Sequence, residues 1–295
     1  MFLRKKKLVA KLVGGLGNQL FIYFAALDLA QKNDRELVLD FSFIERAHSS
    51  GKSRLDIFSI EGEKIESPKI VKVIKTFKER ILDSLSQRMS FFTISYLDEQ
   101  SLDRLQTRSQ ARSFYLRGFH STAKHYEALG SPGLKLKYES LEYLSLKSQI
   151  TGSVALHLRG GDYGRFSSTF GPLSPDYYLG ILNTYEKVAL TARLKGIYIF
   201  SDDRERSGNL SRLLELNGYR AIQVSFLNDL VPAEELLLMS VSGVLIAANS
   251  TFSFWAAELS TPDTIVISPS NYTRTGDTVD FQSSRSRIVH KSDWE

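Results

Sequence analysis

The second half of the chain alternates between two patterns of apolar residues. Short, nearly continuous apolar runs indicate strands buried on both faces, and the longer segments between them have the spacing of helices with one buried face. The predicted strands are 153–159, 196–202, 221–226, 243–249 and 264–269, and the predicted helices are 173–189, 206–218, 232–242 and 251–260. Regular strand–helix alternation predicts a parallel sheet with helices on both faces.

The first half begins in the same way. A strand at 7–13, a glycine loop, a buried helix at 19–34 and a strand at 36–40 form a βαβ opening, and a strand at 113–119 precedes a helix at 121–129. Segment 41–110 is less regular, although 69–89 predicts a helix with a basic exposed face. We therefore expect an α/β fold with two Rossmann-like lobes, 1–145 and 146–295, and a cleft between them. Segment 130–140, with two glycines and a proline, is the best candidate linker.

Composition narrows the function classes. The 295-residue chain contains no cysteine, which excludes a disulfide framework, a cysteine nucleophile and a thiolate metal site. Its pI is about 9.2, with basic clusters at 4–7 and 69–80 that suit an anionic membrane surface or a phosphorylated ligand. We expect no nucleic acid partner, because 69–80 holds a single aromatic residue. With no long apolar run, we expect a cytoplasmic protein, peripheral at the inner face of the membrane.

Residues suited to binding or catalysis follow four of the predicted strands. An open parallel sheet binds its ligands at the carboxyl ends of its strands. After the first strand, Gly15 and Gly17 allow a diphosphate to approach the backbone, and Asn18 adds an amide donor. A tight strand–helix turn explains the glycines equally well. Asp40, at the end of the second predicted strand, has the place of a ribose-binding acid in a dinucleotide fold.

The stretch "HLRGGDY" follows the strand at 153–159. Arg159 presents a planar fork suited to phosphate oxygens, and Asp162 suits fixing the arginine, contacting a hydroxyl or accepting a proton. His157 ends the apolar run and is a nucleotide contact or a packed core residue. An arginine–aspartate pair bracing a loop is the plain alternative.

Two more strand ends carry suitable residues. The two carboxylates of "FSDD", Asp202 and Asp203, suit guanine or ribose, or cap the following helix. Ser250 and Thr251 in "NSTF" stand at a helix N-terminus, which binds anions, although a simple cap has the same residues. Each motif alone is ambiguous, but four at equivalent places indicate a bound nucleotide diphosphate.

The ordered set resembles a known family. "KLVGGLGNQLF", "FYLRGFHSTAKHY", "LHLRGGDY", "FSDD" and "LIAANSTFSFWAAEL" together resemble the bacterial α-1,2-fucosyltransferases of glycosyltransferase family 11, from residue 11 to about 267. The resemblance implies a two-lobed, GT-B-like fold. It also implies GDP-L-fucose as donor, inversion at the anomeric carbon, no metal, and a glycan or lipid-linked oligosaccharide acceptor for O-antigen-like surface polysaccharide. It implies α-1,2 linkage to galactose, with the sugar nucleotide in the C-terminal lobe and the acceptor on the N-terminal side.

The resemblance also assigns roles. Arg159 neutralises the β-phosphate, Ser250 and Thr251 bind phosphates, and His157 and Asp203 contact guanine or ribose. The Gly15–Asn18 loop faces the donor across the cleft. The resemblance does not assign the base that removes the acceptor proton; for that role Asp162 is the first candidate and His120 the second.

One departure from the family concerns the phosphate grip. Gly160 stands where relatives usually have a second arginine, which predicts a gap that Arg165 fills. The alternatives are another GDP- or UDP-sugar transferase, or an NAD(P)- or FAD-dependent oxidoreductase, which would explain the glycine loop and Asp40.

Overall fold

The computed structural model describes residues 6–44, 55–65, 94–97, 102, 113–160, 170–227, 229–274 and 283–294. The chain divides into two units, Met1–Pro132 and Gly133–Glu295. This boundary lies before the predicted one at 145/146, because the segment ahead of the second sheet packs with that sheet. The Ser140 N–H donates to the Glu234 carboxylate at 3.1 Å, and the Asp229 N–H donates to Glu142 at 3.0 Å.

The first unit contains a five-stranded sheet in the order β3-β2-β1-β5-β4, with every pair parallel. Its strands are β1 Lys7–Lys11, β2 Glu36–Asp40, β3 Glu63–Ile65, β4 Ile94–Leu97 and β5 Ser113–Leu116. The described helices are α1 Leu16–Lys32 and α2 Lys124–Ala128, with a 3₁₀ turn at Leu55–Ile57. Helix α1 is buried along nearly its whole length, as its apolar sequence predicts. The predicted helix 69–89 lies outside the described residues.

The second unit contains a six-stranded parallel sheet in the order β11-β10-β9-β6-β7-β8. Its strands are β6 Val154–Leu158, β7 Ile197–Ser201, β8 Ala221–Gln223, β9 Val244–Ile246, β10 Ile265–Pro269 and β11 Ser286–His290. Counted from β6, this is the dinucleotide-fold order of third, second, first, fourth, fifth and sixth strands. The order reverses between β6 and β9, and that switch point is where such sheets bind ligands.

Helices cover both faces of the second sheet. They are α3 Leu141–Ile150, α4 Pro175–Thr184, α5 Glu186–Lys195, α6 Arg204–Leu216, α7 Val224–Leu227, α8 Pro232–Ser240 and α9 Thr251–Glu258. Every residue of β6 and β7 is buried, as expected for strands covered on both faces. Among the described helices, none combines the length and the apolar content that crossing a bilayer requires.

Two predicted elements differ from the structure, and one strand was not predicted. The single helix expected over 173–189 is two helices, because Tyr185 is extended (φ −112°, ψ 94°) between α4 and α5. The predicted strand at 221–226 ends early, and α7 continues from it. Strand β11 was not predicted, since its Ser-Arg-Ile-Val-His sequence has no continuous apolar run and it lies at the sheet edge.

Candidate functional site

The switch point of the second sheet brings together four of the predicted site residues. His157 and Arg159 lie at the carboxyl end of β6, and Ser250 and Thr251 follow the neighbouring strand β9. The two strands pair in parallel, with Leu156 opposite Ile246. These residues therefore lie at one edge of the sheet. An arginine and a helix N-terminus, both of which bind anions, come together there.

Arg159 is held by Asp202. One Asp202 carboxylate oxygen accepts from Nη1 of Arg159, and the other accepts from the Gly160 N–H at 2.8 Å. The two side chains are 28% and 31% exposed, so solvent and ligands reach the pair. One carboxylate thus fixes both the guanidinium and the backbone beside it. The sequence did not single out Asp202 as the partner of Arg159, because its spacing gives it no advantage over Asp203.

Asp203 caps helix α6. Its carboxylate accepts from the Arg206 N–H at 3.1 Å, and its own N–H donates to the Ser201 hydroxyl at 3.0 Å. A Cβ built on Gly160 would lie 2.5 Å from the Asp203 Cβ and 2.6 Å from its Oδ2. The expected gap beside Arg159 is therefore filled by Asp203, and Arg165 lies outside the described residues. The nucleotide contact of Asp203 stays a prediction.

His157 is a packed, neutral histidine. Burial and the neighbouring Arg159 cation lower its pKa to about 3. Its Nδ1 is hydrogen-bonded to the Ser253 hydroxyl, which also accepts from the Ala248 N–H at 3.1 Å. The side chain of His157 thus joins the end of β6 to the start of α9. The structure places it as a core residue of the site, and a direct nucleotide contact stays a prediction.

Ser250 is the N-cap of α9. Its hydroxyl oxygen accepts from the Phe252 N–H at 3.2 Å, and Thr251 is the first helical residue. A serine hydroxyl that accepts one bond still has a proton to donate. The side chain of Asn249, just before, donates to the carbonyls of Gly171 at 3.0 Å and Tyr272 at 3.2 Å. The helix N-terminus is therefore fixed in place at the switch point.

Glu235 is an acid that sequence reasoning missed. Burial and the Glu234 charge raise its pKa to about 7, although a hydrogen bond with Ser225 opposes the shift. The Ser225 hydroxyl also accepts from the N–H of Ser201, at the end of β7. Glu235 is thus connected to the same sheet edge. Two adjacent glutamates in the first turn of a helix are ordinary, so the sequence carried no signal for it.

The glycine loop of the first unit has a clear structural role. Gly14 has φ 76°, and a Cβ there would lie 2.7 Å from the Asn18 amide nitrogen. Gln19 is buried, with its side chain bonded to the carbonyl of Gly14 and the N–H of Leu55, each at 3.0 Å. Gly15 is the N-cap of α1, and Gly17 and Asn18 lie in its first turn. Ligand contacts of Gly15, Gly17 and Asn18 stay predictions.

Two other sequence candidates are buried and engaged. Asp40 is fully buried, accepting from the Ser42 N–H at 2.9 Å and from the Tyr115 hydroxyl, so it does not offer its carboxylate to a ribose. His120 is buried with φ 49°, and its Nε2 is bonded to the Arg117 carbonyl at 2.8 Å. The geometry thus does not favour His120 as a base. Asp162 lies outside the described residues, and its role stays a prediction.

Comparison with the sequence models of known protein families identifies the class of enzyme. The model described as Glycosyl transferase family 11 matches residues 73–294. The chain belongs to glycosyltransferase family 11. The match contains every site residue of the second unit. It begins after the glycine loop of the first unit, so it does not test whether that loop belongs to the family pattern. Membership makes the protein a glycosyltransferase, and it does not support the oxidoreductase alternative.

Two curated relatives align with most of the chain. An alpha-1,2-colitosyltransferase from Escherichia coli is 26% identical over 274 residues, covering 88% of this chain and 90% of the relative. The O-antigen biosynthesis glycosyltransferase WbnK from Escherichia coli is 29% identical over 285 residues, covering 88% and 92%.

The fold is also found in a solved fucosyltransferase. A mutant of Arabidopsis thaliana FUT1 in complex with GDP matches with a TM-score of 0.56 and 13% sequence identity, covering 87% of this chain and 68% of that one. Together with the two parallel sheets, this likeness confirms the predicted α/β fold of the GT-B kind for this family 11 member.

Proposed function

We propose that this glycosyltransferase transfers L-fucose from GDP-L-fucose to a hydroxyl of a glycan acceptor, in α-1,2 linkage to galactose, during O-antigen-like polysaccharide synthesis. The observation that carries the proposal is the switch point, where Arg159 and the Ser250–Thr251 helix start share one sheet edge. The α-1,2 linkage and the pathway are supported by the names of the two curated relatives, and GDP by the ligand of FUT1.

The proposed reaction is a single displacement with inversion. The acceptor oxygen attacks the anomeric carbon as the bond from that carbon to the β-phosphate oxygen breaks, and the electron pair leaves with GDP. The acceptor proton goes to a base, for which Asp162 remains the candidate. Arg159 and the N-terminus of α9 stabilise the charge developing on the leaving diphosphate, which is the role a metal ion has in other transferases.

A second donor is favoured by one specific observation. The relative at 26% identity is named for colitose, which is L-fucose without its 3-hydroxyl. Both sugars form GDP donors with the same diphosphate, so the residues at the switch point serve either one. A donor pocket that hydrogen-bonds the 3-hydroxyl would reject colitose strongly, whereas a merely apolar pocket would discriminate weakly.

The decisive experiment is a donor screen with GDP-fucose, GDP-colitose, GDP-mannose and UDP-galactose, with and without EDTA. We expect turnover of GDP-fucose that EDTA does not reduce, and a loss of about 100-fold or more in kcat with Arg159→Ala. Arg193→Ala is the matched control, because Arg193 packs over the Tyr219 ring, away from the switch point. Turnover of UDP-galactose alone, or an active Arg159→Ala enzyme, would disprove the assignment.

We further propose that the protein works against an anionic membrane surface that carries a lipid-linked acceptor. Tyr138 and Leu141 are both 87% exposed, next to the exposed Lys135 and Lys137. Exposed apolar side chains close to lysines suit insertion at a charged interface, and here Lys135 and Lys137 precede Tyr138 while Glu139 separates it from Leu141. The start of α3 lies beside the start of α8, which places these side chains at the carboxyl edge of the sheet.

Vesicle sedimentation tests this surface. We expect binding to vesicles containing phosphatidylglycerol and little binding to neutral vesicles, with a loss of binding in Tyr138→Ser/Leu141→Ser. Leu190→Ser/Leu194→Ser is the control, since these two leucines are also exposed but lie on α5. Equal sedimentation of both double variants would reject this surface.

A further inference from the structure

Three chain segments meet at Asn249, next to the helix start that Ser250 caps. The Asn249 amide nitrogen donates to Gly171 in the β6–α4 loop and to Tyr272 after β10. The asparagine is buried, so these bonds are shielded from water. The β6–α4 loop begins with Arg159. The segment after β10 is therefore part of the same sheet edge as Arg159 and Ser250.

Arg274 follows Tyr272 by two residues and lies over Gly171. A Cβ built on Gly171 would be 2.2 Å from the Arg274 Nε, 2.6 Å from its Nη2 and 2.8 Å from its Cζ. The guanidinium thus lies against the Gly171 backbone, at a place where only glycine leaves room for it. Arg274 is nevertheless an exposed residue. Packing against Gly171 thus places the Arg274 cation at the surface of this edge.

The site has a reason to need this cation. A nucleoside diphosphate carries several negative charges, and more develops on the β-phosphate as the glycosidic bond breaks. Arg159 supplies one guanidinium, which the Asp202 carboxylate partly offsets. Residue 160 leaves no room for another side chain, because Asp203 occupies that space. A second cation therefore has to come from a position other than 160.

We propose that Arg274 is the second cation for the donor diphosphate, binding the β-phosphate at the same sheet edge as Arg159. The proposal rests on the proposed function in assuming a nucleoside diphosphate-sugar donor. Arg274 forms no covalent bond and transfers no proton. Its fork donates to phosphate oxygens in the bound state and more strongly as the leaving group gains charge.

The test compares two nucleotides by titration calorimetry. GDP has the β-phosphate and GMP lacks it, so a cation at the β-phosphate affects GDP alone. We expect Arg274→Ala to weaken GDP binding about 10- to 100-fold and to leave GMP binding within about twofold. Arg274→Lys should recover part of the loss, because it keeps the charge without the fork. Arg193→Ala is the matched control and should change neither affinity.

Gly171→Ala provides a second, independent variant. The added methyl group displaces the guanidinium while leaving Arg274 in the chain, so the same selective loss for GDP is expected. Thermal unfolding of each variant separates this loss from misfolding, since an unfolded fraction lowers GDP and GMP binding alike.

The outcomes separate the inference from the proposed donor. Equal weakening of GDP and GMP in Arg274→Ala, or no weakening of either, would overturn the role of Arg274. If the wild-type protein binds UDP rather than GDP, the guanine assignment fails, and the comparison of UDP with UMP decides the role of Arg274 in the same way.

Discussion

Asp203 occupies the space into which a side chain at Gly160 would project: a Cβ there would lie 2.5 Å from the Asp203 Cβ. The lack of space beside Asp203 explains why the residue after Arg159 is a glycine, at the position where relatives usually have a second arginine. The Asp203 carboxylate is already fixed by capping α6. A larger residue at 160 therefore has to displace either the loop or the helix cap.

Gly160→Ala should lower the free energy of unfolding by about 1–3 kcal/mol, because the methyl group overpacks against Asp203. Gly208→Ala is the matched control, since Gly208 lies in α6 and a Cβ added there would have no neighbour within 4 Å. Alanine there should raise the free energy by about 0.5–1 kcal/mol. Chemical denaturation measures both, and a Gly160→Ala protein as stable as the wild type would contradict the contact.

Asp202→Asn should separate kcat from KM. Asparagine can still accept from the Gly160 N–H, but it no longer holds the Arg159 guanidinium by charge. We expect kcat to fall about 10- to 100-fold through misplacement of the arginine. The donor KM should not rise, because a negative charge near the diphosphate has been removed.

Steady-state kinetics with varied donor measures both constants for Asp202→Asn. The exposed Asp263, in the turn before β10, gives the control Asp263→Asn. A raised donor KM with unchanged kcat in Asp202→Asn would show that Asp202 binds the donor rather than positioning Arg159.

His157 should make the protein acid-sensitive. Its folded pKa of about 3 lies below the ordinary value of 6.5, so the folded state binds fewer protons than the unfolded chain between those values. The stabilisation is complete above pH 6.5 and declines as the pH falls toward 3. At pH 5 the loss is about 2 kcal/mol. His157→Gln should lose correspondingly less stability than the wild type between pH 8 and pH 5, as measured by urea unfolding.

Glu235 should act in the opposite direction. Its folded pKa of about 7 lies above the ordinary value of 4.5, so the folded state binds more protons between those values. Its contribution to stability is complete below pH 4.5 and is lost as the pH rises through 7. Glu235→Gln should therefore be more stable than the wild type at pH 8, with a smaller difference at pH 5. Thermal midpoints at the two pH values would refute the shift if the difference stayed constant.

Gly14→Ala and Gly15→Ala should differ in stability. Gly14 has φ 76° and its Cβ would meet the Asn18 side chain at 2.7 Å, whereas Gly15 has φ −69° and no atom within 4 Å of that position. We expect a cost of about 1–3 kcal/mol at Gly14 and less than about 0.5 kcal/mol at Gly15. Circular dichroism melts compare them. If Gly15→Ala then loses activity while folding normally, the predicted ligand contact of Gly15 is supported.

The sequence was informative where one strand or one helix start determines a residue's place. The apolar runs that became β6 and β9 placed Arg159 and Ser250 at the carboxyl ends of strands, and the parallel alternation put those ends at one edge. Sheet order was not encoded in any single run. The meeting of Arg159 and Ser250 at the switch point therefore emerged only when the strand pairing was known.

Other features depended on contacts between distant segments. By its spacing in the sequence, either Asp202 or Asp203 could cap the following helix. The pairing of Leu158 with Ser201 in the sheet decides which of the two reaches Arg159. Arg274 follows a loop without periodicity, so its approach to Gly171 had no sequence signal. The boundary between the two units also precedes the predicted one at 145/146, because the start of α3 is hydrogen-bonded to α8 of the second unit.

The Asn249 amide has a mechanical consequence. Because one buried side chain bonds to the β6–α4 loop and to the segment after β10, neither segment can swing outward at Gly171 or Tyr272 without breaking a bond inside the core. Gly171, Asn249 and Tyr272 therefore behave as one stiff frame at this sheet edge. Amides around Gly171 and Tyr272 should exchange with solvent as a single cooperative unit.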